Sequence, residues 1–232
     1  RVDDAVKTIT SALDRAGLTE NTIFVFTVDH GIEFPRAKWF CYDAGIEVAL
    51  IIRWPEGGIA GGPTRDRLLS NVDLFPTLLE LIGSPIPENV EGLSFADYLH
   101  DDSCEGKRDA VFSVFQGKDI RSVRTNRYKL IRNFQPRRLI PVPVNMSSQE
   151  VKKWNTESPA GREKCPVVQL FDLEKDPLEY ENLAEDSAYA EIRQDLSARL
   201  WTWMESVDDP SLKGPLPSPY YEEAISEYRN RT

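Results

Sequence analysis

The chain has 232 residues, 41% hydrophobic and 10% aromatic, enough apolar material for one large domain or two modest ones with real cores. A formal net charge of −10 and an isoelectric point near 4.9 argue against a nucleic-acid partner, because neutralising phosphates requires a basic face. No window approaches the roughly 18 consecutive apolar residues of a membrane span and no signal-peptide pattern opens the sequence, so the expectation is a soluble chain with no membrane partner and its location open.

Val2, Val6, Ile9 and Leu13 recur at helical spacing and Gly17 supplies a stop, which predicts a helix over 2–16 covering one face of a sheet. Residues 23–28 are mostly β-branched and aromatic and read as a strand buried on both faces of a parallel sheet, running into Asp29, His30 and Gly31. Taken alone, that tripeptide reads first as an ordinary turn. At the carboxyl end of a strand in an open α/β sheet, however, it is where a ligand crevice forms, with Gly31 turning the backbone away. Residues 33–45 are polar and predict a loop over that rim, and Val48 to Ile52 predicts a second strand. From Asn71 an amphipathic helix runs through Leu74, Leu78, Leu81 and Ile82 to Gly83, with Pro76 tolerated in its first turn and Asp73 a cap or backbone partner.

Beyond His100 the texture changes. Residues 101–107 form a polar connector, and the runs 110–116, 120–124 and 128–133 follow at hairpin spacing, with 167–172 as a fourth antiparallel strand. A closing helix over 188–204 presents Ile192, Leu196, Leu200 and Trp203. Residues 135–166 lack a regular pattern, a length that marks a functional or mobile loop. Asp176-Pro177 makes a tight turn into a link to which no chemistry is assigned, and the proline-containing tail from Pro210 reads as a surface segment. Cys41, Cys104 and Cys165 have neither disulfide nor zinc spacing and read as buried or incidental thiols.

Residues 21–31, Asn-Thr-Ile-Phe-Val-Phe-Thr-Val-Asp-His-Gly, resemble the metal-binding strand of the sulfatase family in the alkaline phosphatase superfamily. The family pattern continues with Lys38, with Tyr42 to Pro55, with Asn71 to Leu81 and with Glu91 to Phe95, and ordered blocks are far more specific than any single one. Gly31-Ile32-Glu33-Phe34-Pro35 and Leu130-Ile131-Arg132-Asn133-Phe134-Gln135-Pro136 are similar to the heparan N-sulfatase branch, and Leu170 to Leu183 resembles the segment by which sulfatases enter their last helix. The resemblance implies an α/β fold: part of an alkaline-phosphatase-like mixed or parallel sheet with flanking helices, then a small C-terminal antiparallel four-stranded sheet packed on a helix. It divides the chain into 1–105, the C-terminal part of the α/β domain, and 106–232, the antiparallel subdomain and tail.

The chemistry implied is hydrolysis of an N- or O-linked sulfate on an amino sugar. The metal, a calcium-type divalent ion, would take Asp29 and His30; Asp29 offers the oxygen that a hard cation prefers, whereas an imidazole suits softer metals, so His30 is open to a catalytic place outside the first shell. Lys38 falls where the family places a cation on the sulfate, a catalytic and substrate-binding role, with Arg36, Arg137 and Arg138 as further substrate contacts. The nucleophile of the family is formylglycine, made within Cys/Ser-x-Pro-x-Arg, and no cysteine or serine of this sequence has that context. The expectation is thus a C-terminal fragment, inactive alone, whose partners are a sulfated sugar, the N-terminal part of the same enzyme and a second copy through an exposed sheet edge. A phosphodiesterase or phosphonate hydrolase of the same superfamily and a non-catalytic glycan-binding module are the alternatives.

Overall fold

A computed structural model describes residues 1–34, 36–60, 62, 64, 66–101, 103–115, 119–135, 147–150, 153, 164–213 and 219–230. They fall into two compact units, one of residues 1–29 and 48–109, the other of residues 30–47 and 110–232. Among the described residues no helix is long and apolar enough to cross a membrane.

In the first unit, helix α1 (Val2–Ala16) forms as its spacing predicts and ends at Gly17, whose φ of 67° suits a residue without a Cβ. None of its residues is buried, so the expected cover over a sheet is not made within this unit, and Val2 and Ile9 stay exposed. Strand β1 (Phe24–Thr27) corrects a second expectation. It pairs antiparallel with β2 (Leu50–Arg53), Phe24 opposite Arg53, in a sheet of two strands among the described residues, and Phe24, Val25 and Phe26 are only half-buried while Thr27 is exposed. Asp73 behaves as its position suggests. Its carboxylate accepts from the Ser70 and Leu93 amides at 2.9 and 2.8 Å, and Arg108 grips it through Nε at 2.7 Å. A short 3-10 turn at Asn71–Asp73 thereby leads into helix α3 (Leu74–Leu81), after helix α2 (Asp43–Ile46) of the second unit in chain order, and helix α4 (Ala96–His100) closes the first.

The second unit is built on strands β3 (Val111–Phe115), β4 (Ile120–Arg124), β5 (Tyr128–Asn133) and β6 (Val168–Asp172), paired antiparallel in that order as the sequence predicts. Strand alternation sorts the side chains to two faces, and here both are covered. Val123, Leu130 and Leu170 pack beneath helices α5 (Ala190–Ser206) and α6 (Pro219–Arg229), against Leu196, Leu200, Trp201, Met204, Tyr221, Ala224 and Ile225. Ile120, Ile131 and Phe171 on the opposite face pack against Phe40, Cys41, Tyr42 and Cys165. The tail from Pro210 is therefore not a mere surface strap. Tyr221, Ala224 and Ile225 stand at helical spacing and close the core, and Ser211 and Asp209 are buried beside Arg121 of β4. The apolar stripe of α5 is the expected one made wider: Leu196 and Leu200 are buried, Ile192 and Trp203 pack against the same core with Trp203 stacked on Phe112 at 4.9 Å, and Trp201 and Met204 are buried as well. Cys41 and Cys165 are buried and Cys104 is half-buried, and none of the three is in a disulfide among the described residues.

Truncating Leu200, wholly buried where α5 meets the sheet, leaves a cavity that the surrounding helices fill only in part. Leu200→Ala is expected to cost about 2–5 kcal/mol, measured by urea unfolding.

Candidate active site

Residues 30–47 leave β1 and fold as part of the second unit, and two close backbone approaches set their course. The Gly31 amide donates to the Gly45 carbonyl at 3.0 Å, and any Cβ on Gly31 would collide with the Ala44 carbonyl. Gly45 in turn lies against the Ala37 carbonyl, so neither position admits a side chain. Between them the Lys38 amide donates to Ile32 O at 3.1 Å, and the chain ends in the single turn of α2, where the sequence predicted only loop.

What fastens this segment to the sheet is a buried ionic cluster. Lys129 of β5 is completely inaccessible, and its ammonium donates to Asp43 Oδ1 at 2.5 Å and to Glu179 Oε1 at 2.8 Å. Glu179, 2% exposed, accepts from the Asp43 amide at 2.6 Å through its other oxygen, and Arg124 Nε reaches Asp43 at 3.2 Å. A lysine is almost never fully buried unless paired, and this one has both carboxylates of its pocket. Burial pushes the Asp43 carboxyl up, but Lys129 and Arg124 outweigh it and hold the group below its ordinary range. For Glu179 burial wins over Lys129, aided by the like charge of Asp43, and its carboxyl is raised.

Arg36 is held from three sides. Its guanidinium donates to the Glu179 carbonyl and lies over the rings of Tyr42 at 4.3 Å and Tyr180 at 4.8 Å. Burial, with Cys165 nearby, pushes the Tyr42 phenol up to about 12, so it stays neutral and accepts a hydrogen bond from Gln169 at 2.7 Å. Lys38 is about a quarter exposed, meets Glu33 at 3.3 Å and sits 5.6 Å over the Trp39 ring. His30 is half-buried with Nδ1 2.8 Å from Gly31 O; a carbonyl only accepts, so Nδ1–H is the donor of this contact. Asp29 is exposed two residues past the end of β1, its carboxylate suited to a hard cation. Among the described residues no group of three or more His, Cys, Asp or Glu side chains converges on one point. Arg137 and Arg138 lie outside the described residues. The structure thus brings His30, Arg36 and Lys38 onto one segment of the second unit and adds Asp43, Lys129, Glu179 and Tyr180, which sequence reasoning had left without a role.

The profile of the family described as N-sulphoglucosamine sulphohydrolase, C-terminal, matches residues 32–140, from the segment after Gly31 across β5. This chain belongs to the sulfatase family. An ulvan-active sulfatase of Formosa agariphila is 32% identical over 201 residues, covering 83% of this chain and 39% of the relative. The human N-sulphoglucosamine sulphohydrolase is 26% identical over 242 residues, covering 93% of this chain and 48% of the relative. A structure solved in complex with its substrate D-glucosamine-2-N,6-O-disulfate superposes with a TM-score of 0.70 at 23% identity, over 92% of this chain and 40% of that one, which shows a shared fold. This chain spans between about two fifths and a half of the length of these relatives.

Lys129→Met removes the cation that both carboxylates share and is expected to cost about 3–5 kcal/mol, with much of the loss recovered when Asp43→Asn and Glu179→Gln are added, by chemical unfolding. The Asp43 contribution has a definite pH sign. Its folded pKa lies below the ordinary 3.8, so its stabilisation is complete above pH 3.8 and lost as pH falls toward the folded value. Asp43→Asn should therefore flatten the stability profile below pH 3.8, and an unchanged acid limb would contradict this assignment.

Proposed function

We propose that this chain is the C-terminal part of a sulfatase that hydrolyses an N- or O-linked sulfate on an amino sugar, and that Lys38 is its sulfate-contacting cation. The observation that carries the reading is the placement of Lys38. Its ammonium is partly buried on a backbone segment closed by the Gly31 and Gly45 approaches and begun by His30. An ammonium held there stabilises the negative charge that builds on the sulfuryl oxygens as the sulfur–oxygen or sulfur–nitrogen bond breaks. Glu33 competes for it, as a carboxylate more than half exposed whose ion pair is weak enough for a sulfate to displace. His30, its ring fixed by the Gly31 carbonyl, and the Asp29 carboxylate would hold a divalent ion, calcium by preference for Asp29 oxygen. Such an ion supplies Lewis-acid polarisation of the sulfate. The formylglycine nucleophile would come from residues outside this sequence, which makes the chain inactive by itself. Arg36 supports the site as a charge already engaged by Glu179, Tyr42 and Tyr180. Family membership, and the sulfated glucosamine named for the human relative, support a sulfated amino sugar as the substrate class.

The test is sulfate release by the full-length protein from N-sulfoglucosamine and from 6-O-sulfated N-acetylglucosamine, in competition with a phosphodiester and a phosphonate monoester. Sulfate release should dominate; dominant phosphoester or phosphonate turnover would sink the proposal. Lys38→Ala is expected to lower kcat/KM about 10²–10³-fold, the range for losing one transition-state donor. Glu33→Gln should instead strengthen substrate affinity by roughly twofold to fivefold, in keeping with an exposed ion pair of less than about 1 kcal/mol.

A further inference from the structure

Around Arg36 and Lys38 the second unit exposes a set of large apolar side chains that its core has no use for. Tyr180 is 70% exposed, Leu178 69%, Phe34 65%, Ile32 60% and Trp39 37%. They come from two stretches far apart in sequence, 32–39 and 178–180, joined by the Arg36 guanidinium, which donates to the Glu179 carbonyl and lies against the Tyr180 ring. Three of the five non-glycine residues with positive φ among the described residues fall in the same two stretches: Arg36 at 62°, Trp39 at 70° and Glu179 at 59°. Such backbone is costly and persists only where its surroundings enforce it, and it collects where a protein presents side chains to a ligand. The enforcement is visible, since Glu179 is locked by Lys129 and the Asp43 amide and thereby fixes the direction in which Tyr180 leaves the chain.

We propose that Tyr180, oriented by Arg36, is the wall of a binding subsite for a sulfated pyranose, with Trp39 and Lys38 as its second aromatic and its anion contact. The proposal deepens the sulfatase reading and rests on it. The chemistry selects a sugar over a protein partner. Each exposed ring carries a cation, Arg36 on Tyr180 at 4.8 Å and Lys38 on Trp39 at 5.6 Å, in a chain whose net charge is −10. A ligand that offers apolar C–H faces to the rings and sulfate oxygens to the cations satisfies both features at once, whereas an apolar protein surface would leave the cations desolvated. Because the Tyr180 hydroxyl takes no part in this scheme, the ring alone should suffice.

Calorimetric titration of the full-length protein with an N-sulfated glucosamine disaccharide, with sulfate release followed in the same samples, tests this. Tyr180→Ala is expected to weaken binding at least tenfold, and Tyr180→Phe to bind within twofold of the natural protein. Natural-level binding by Tyr180→Ala, or no binding by the natural protein, overturns the subsite. Binding that depends on the Tyr180 ring but is followed by no sulfate release keeps the subsite and overturns the hydrolase reading instead. Tyr180 is 70% exposed and belongs to neither core cluster, so the alanine variant is expected to fold; an unchanged midpoint of thermal unfolding verifies it.

Discussion

Lys129 is the constraint on which the candidate site depends. A lysine with no access to water can keep its charge only if carboxylates are delivered to it, and both that are delivered come from outside its own strand. Asp43 arrives from the segment that follows His30, and Glu179 from the turn after β6, so one ammonium fixes two otherwise irregular stretches against one face of the four-stranded sheet. The same Glu179 returns through its carbonyl to Arg36, which binds the middle of the segment as Asp43 binds its end. The candidate residues Arg36 and Lys38 thus lie on a segment fastened to the four-stranded sheet.

That arrangement explains why apolar packing and ionic pairing occupy one face together. Phe40, Cys41 and Tyr42 fill the space over Ile120, Ile131 and Phe171, and the ionic cluster sits beside them. The aromatic layer excludes water from the charges and strengthens their attraction, while the charges specify which register of the segment is allowed. A purely apolar contact would tolerate sliding by a residue; a lysine with two required partners does not.

Much of the second unit is legible in the sequence, because hairpin spacing and strand alternation are local signals. The runs 120–124 and 128–133 are strands β4 and β5 with the predicted boundaries. The ordered blocks around Asp29 to Gly31 and Tyr42 to Gly45 likewise carry the family in their residue order. The anchor was not legible. Lys129 stands 86 residues from Asp43 and 50 from Glu179, and nothing local pairs them. The one available signal was a lysine between Tyr128 and Leu130 in a strand that ends up buried on both faces, a place where an unpaired charge would be expelled. The orientation of β1 failed for a related reason: an apolar run states that a strand is to be buried, not which neighbours will bury it. The tail failed because its prolines outweighed the helical spacing of Tyr221, Ala224 and Ile225 that follows them.

The central claim is that Lys129 holds the His30 to Glu47 segment in place, and amide hydrogen exchange reads this directly. In the full-length protein carrying Lys129→Met, the amides of Gly31, Lys38, Gly45 and Glu47, which now donate to carbonyls within that segment, should lose protection together. The amides of Ser122 and Leu130 within the sheet should keep most of theirs. Natural protection at those four amides in the variant would show that the segment is held by something else, and would contradict the account.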